Sequence, residues 1–107
     1  MSRIAVHPGE QLAAHLSDLG MSAAELGRQL RVPANRITEI MNKQRAITGD
    51  TALRLGHFFG SSPEFWLNLQ AIYDLRLAEA RVGADIRSLP TLRMRKKKLA
   101  GQLTVTA

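Results

Sequence analysis

Apolar residues recur every three or four positions from about residue 8 to residue 80, and start and stop signals cut this pattern into five helices. The best marked stretch is 21–42. Ser22 followed by Glu25 is a capping box, Leu26 and Leu30 share one face, and Pro33 suits the first position of a second helix. In that second helix Ile37, Ile40 and Met41 form the apolar face, leaving Asn35, Arg36, Thr38, Glu39 and Asn42 outward. Two short helices joined by a tight turn result, at about 22–42.

The flanking elements follow from similar signals. Pro8 and Glu10 open a helix from about Pro8 to Leu19, with Leu12, Leu16 and Leu19 in register and Gly20 as its stop. After a polar loop at 42–47, Thr48 and Asp50 start a fourth helix running to about Phe59; Ala52, Leu53, Leu55 and Phe59 are its expected core residues and Gly60 ends it. Ser62-Pro63-Glu64 starts a fifth. From Phe65 to Ala78 ten of fourteen residues are apolar, and Asn68, Gln70, Asp74 and Arg76 do not gather on one face, so one buried stripe cannot absorb the helix. The apolar excess around Trp66, Leu69, Tyr73 and Leu77 is expected to meet a second chain; the competing reading is that the C-terminal tail covers it. The expected fold is therefore all-α, with a domain over 1–82 and a basic, flexible tail over 83–107. Gly83 and Pro90 bracket a linker, Arg93 to Lys98 form a charge run, and Gln102 to Thr106 have β propensity without a partner strand.

Charge separates this helix pair from plain packing. The net +6 comes from Arg87 and the run 93–98, because residues 1–85 carry nine basic and nine acidic side chains. Within those 85 residues the positions 28–45 hold a net +4, and the remainder a net −4. Positive charge is thus concentrated beside the helix pair, where a phosphate backbone would lie. Cysteine is absent, which removes thiol chemistry and fits a reducing cytoplasm, and no apolar run reaches the roughly 20 residues of a membrane span. His7, His15 and His57 have no close ligand spacing, and Asp50, His57 and Ser61 lack any nucleophile signal, so neither a metal site, a cofactor nor an enzyme is expected.

The segment 21–42, its basic loop and Thr51-Ala52-Leu53-Arg54-Leu55 resemble the lambda-repressor-like (XRE-type) helix-turn-helix domain. The opening His7-Pro8-Gly9-Glu10-Gln11-Leu12 and the string Ser62-Pro63-Glu64-Phe65-Trp66-Leu67-Asn68-Leu69-Gln70 are similar to the HigA family of antitoxins. This resemblance implies a five-helix lambda-repressor-like DNA-binding domain that acts as a homodimer on double-stranded operator DNA, represses its own operon and neutralises a RelE-like HigB toxin that cleaves RNA. A stand-alone regulator of the same fold is the alternative. Carried over position by position, the resemblance places Ala34, Asn35, Arg36 and Glu39 against bases, and Ala23, Lys43, Gln44 and Arg45 against phosphates. Three positions depart from the family pattern: Arg31 and Lys43 stand where glycines are usual, and Pro33 replaces a capping Ser or Thr. A left-handed backbone at Arg31 would cost roughly 1 kcal/mol or more.

Overall fold

The computed structural model describes residues 5–92, and within them the chain forms five helices: α1 Pro8–Leu19, α2 Ala23–Leu30, α3 Ala34–Met41, α4 Gly49–Phe59 and α5 Pro63–Arg87. The charge run 93–98 and the strand-prone 102–106 lie outside these residues. Most boundaries are set by local chemistry. At α1 the Nδ1 of His7 accepts from the Gly9 amide at 2.8 Å while the Glu10 carboxylate accepts from the His7 amide, completing a capping box. Burial pushes the His7 imidazole below its ordinary pKa, which suits an Nδ1 that must remain an acceptor. At α2 the reciprocal pair is Ser22 Oγ with the Glu25 amide at 3.1 Å and Glu25 Oε1 with the Ser22 amide at 2.9 Å. That backbone donor holds the Glu25 carboxyl below the usual range.

The turn between α2 and α3 is closed by Arg31, which takes the left-handed conformation (φ 59°, ψ 46°) that the family's glycine would supply, and Val32 then donates to the Gly27 carbonyl at 2.9 Å. Pro33 caps α3 instead of filling its first helical position: its φ is −60° but its ψ of 144° is extended, and Ala34 is the first helical residue. Lys43, also left-handed at φ 64°, ends the turn after α3.

The core is built by Leu12 and Leu16 from α1, Leu26 and Leu30 from α2, Ile37 and Ile40 from α3, Ala52 and Leu55 from α4, Ile47 from the loop and Trp66 from α5. Leu53, expected in it, is exposed, because it lies on the side of α4 turned away from Ala52 and Leu55; Leu19, which continues the spacing of Leu12 and Leu16, is also exposed as the last residue of α1. Close helix packing depends on Gly9, where a Cβ would run into the Ile40 carbonyl oxygen of α3. The one polar side chain buried on α5 is Gln70: its Oε1 accepts from the Ile47 amide at 2.8 Å and its Nε2 donates to Asp74 at 3.0 Å.

Two expectations for α5 change. The helix does not stop at Gly83 but continues to Arg87. Ala78, Glu79, Ala80, Arg81 and Ala84 are strong helix formers, enough to carry one glycine that costs about 1 kcal/mol relative to alanine. The set Trp66, Leu69, Tyr73 and Leu77 follows the three-and-four spacing of a single stripe, and that stripe, shared with Gln70, faces inward. Trp66 is 0% exposed, with its Nε1 donating to Ser61 Oγ, Leu69 packs on the core, and Tyr73 is half-buried edge-on to His7 at 4.7 Å. The surface-facing apolar residues are Ile72, Leu75, Val82 and Ile86 towards the opposite side and Phe65 and Leu67 flanking Trp66, with Leu77 exposed beyond the last inward contact.

Replacing Gly9 with Ala is expected to cost about 1 to 3 kcal/mol by overpacking, lowering Tm by roughly 4 to 8 °C per kcal/mol in a domain of this size. Gly49→Ala is the control, because a Cβ there meets nothing within 4 Å and the backbone is in the first turn of α4; thermal melts should show it neutral or slightly stabilising.

Candidate nucleic-acid interface

Helix α3 buries Ile37 and Ile40 and turns its other side to solvent: Ala34, Asn35 and Thr38 are exposed, and Arg36 and Glu39 half-exposed. The four residues expected to face bases therefore share one accessible face. Lys43, Gln44 and Arg45, expected at phosphates, are exposed in the following loop. Ala23 opens α2 but packs partly on the core, so it can offer an anion only its main chain.

This face is laced by ion pairs. Arg45 Nη2 lies 2.6 Å from Glu39 Oε1, joining a loop cation to an α3 acid. Lys43 Nζ lies 3.3 Å from Glu10 at the start of α1. Arg36 Nη1 donates to Asp50 Oδ1 at 2.9 Å, and the same oxygen accepts from Arg54 Nε at 2.7 Å. Arg54 reaches further, its Nη1 donating to the Leu30 carbonyl at the end of α2, 2.7 Å away. The Arg54 guanidinium, then Arg36, hold the Asp50 carboxyl below its usual range, and Asp50 in turn raises Arg54.

Asp50 and Arg54 were thus missed as members of the site. Their i, i+4 spacing, acid first, is a helical ion-pair signal in the sequence. The bonds to Arg36, fourteen residues from Asp50, and to Leu30, 24 from Arg54, have no local signature.

The histidines are separated. His7 caps α1, His15 packs edge-on to Phe59 and Trp66, and His57 sits exposed on α4. Among the described residues no three acidic, His or Cys side chains gather as a metal site, and no helix is long and apolar enough to cross a membrane.

A helix-turn-helix family model matches residues 16–66, spanning α2, α3 and their turn. The chain is 50% identical over 76 residues to virulence-associated protein I of Dichelobacter nodosus, covering 70% of each. Its structure is similar to that of an addiction module antidote protein of the HigA family from Coxiella burnetii, with 50% identity and a TM-score of 0.80 over 85% of this chain and 98% of that one. It is also similar to the Pseudomonas aeruginosa antitoxin HigA solved with the higBA promoter, with 40% identity and a TM-score of 0.79 over 83% and 99% of the two chains. At this identity and coverage, the chain belongs to the HigA family of helix-turn-helix proteins.

Proposed function

We propose that this protein is a sequence-specific transcriptional repressor and the antitoxin of a HigB/HigA-type pair, acting by binding and not by catalysis. The observation that carries the DNA-binding half is the accessible α3 face with Asn35, Arg36 and Glu39, edged by Lys43 and Arg45, in a fold whose Pseudomonas relative was solved with a promoter. Asn pairs bidentately with adenine, Arg with guanine, and Glu accepts from cytosine, so these three residue types can read a major groove. Ala34 is small enough for apolar contact with a thymine methyl. Lys43, Gln44, Arg45 and the Ala23 amide position the domain on phosphates.

The protein works as a homodimer through the outer apolar face of α5. Ile72, Leu75, Val82 and Ile86 are 49%, 69%, 39% and 56% exposed, an unusual row for a helix end standing beyond the core. A two-fold pair of α3 helices would read half-sites roughly 34 Å apart or a multiple of that. The partner neutralised is a RelE-like, RNA-cleaving HigB toxin; this part of the reading is carried by family membership.

Arg36→Ala should weaken operator binding by about 1 to 3 kcal/mol and random DNA far less, read by gel shift on the duplex upstream of the gene and on a scrambled one. Equal losses would reduce Arg36 to a phosphate contact. Leu75→Glu should turn a sedimenting dimer into a monomer that keeps its helical circular dichroism; a wild-type monomer at high concentration would refute the dimer. For the antitoxin role, a small basic RelE-like reading frame beside the gene should arrest growth when expressed alone and not when expressed with this chain. Without such a frame, the stand-alone regulator is the better reading.

A further inference from the structure

Asp50 is an acid set among the cations of the DNA-facing side, where a bare carboxylate would repel phosphate. We infer that it is a specificity-setting residue, which holds Arg36 in a base-reading posture and withholds it from arbitrary phosphates. The inference rests on the reading of α3 as the base-reading helix.

The carboxylate is well fixed. It stands in the first turn of α4, where the positive end of the helix favours an anion, and Arg54 grips it through Nε at 2.7 Å and Nη2 at 3.5 Å. Arg54 is itself tied to the Leu30 carbonyl at the end of α2. Three helices thus meet on one acid: α2 through Arg54, α3 through Arg36 and α4 through Asp50 itself. Arg36 is drawn down as a result, its side chain 29% exposed against 45% for Arg45.

Only Nη1 of Arg36 is used by Asp50. The edge formed by Nε and Nη2 remains in the right geometry for a guanine O6 and N7, so a base contact can form with the ion pair intact. Swinging the guanidinium out to a phosphate requires the pair to break. Operator binding therefore keeps the pair, and random DNA must compete with it. Simple repulsion by the carboxylate would act equally on both DNAs, and this difference makes the coupling measurable.

The experiment is a double-mutant cycle on the full chain, with Asp50→Asn, Arg36→Ala and the double variant titrated on the upstream duplex and on a scrambled duplex of equal length. Thermal melts confirm that each variant is folded. Asp50→Asn should tighten random DNA more than operator, lowering the operator-to-random ratio about two- to fivefold, the scale of an exposed ion pair. In the Arg36→Ala background the same change should shift both DNAs by one common factor. Equal tightening on both DNAs with Arg36 present would overturn the inference and leave Asp50 a repulsive charge. An equal fall in the ratio with and without Arg36 would also overturn it, placing the effect elsewhere in α4. If Arg36→Ala alone leaves the ratio unchanged, the base-reading assignment itself fails and takes this inference with it.

Discussion

The amide of Ile47 donates to Gln70 inside the protein, and much of the architecture follows from that one buried hydrogen bond. The segment 42–47 leaves α3 and must return to start α4, and its backbone cannot enter the core without a partner for the amide. Gln70 supplies the partner from α5 while Asp74 satisfies its remaining amide group, so the polar pair is closed. Ile47 can then be buried beside Leu55 and Trp66 in the same core. The loop that presents Lys43, Gln44 and Arg45 is thereby anchored at its far end to the helix that carries the outer apolar row. Loss of either partner would leave a buried polar group unsatisfied, which costs more than the bond itself contributes.

The limits of what the sequence discloses follow from the range of each interaction. Helix starts were legible because a cap lies within three residues of what it caps: α1, α2, α4 and α5 begin where Pro8, Ser22, Thr48 and Ser62 indicate. The accessible α3 face was legible for the same kind of reason, since Ile37 and Ile40 fix its rotation. The inward stripe of α5 was not. Both sides of that helix are apolar, and the feature that decides between them is the demand of an amide 23 residues upstream for Gln70. Trp66, which the apolar excess of α5 suggests for a partner surface, is the largest fully buried side chain. The ion pairs of Arg36 and Arg54 escape local reading in the same way.

The two left-handed residues flank α3, with Arg31 before it and Lys43 after it. Glycine is the residue that such a backbone favours, and a cation in its place carries a conformational cost of roughly 1 kcal/mol. The chain thus spends stability at both ends of its proposed reading helix and gains a positive charge at each. Selection for heat resistance alone would drive these positions towards glycine, and would remove the positive charge at either end of the proposed reading helix. A more robust scaffold and a more cationic surface would then lie in opposite directions of sequence space.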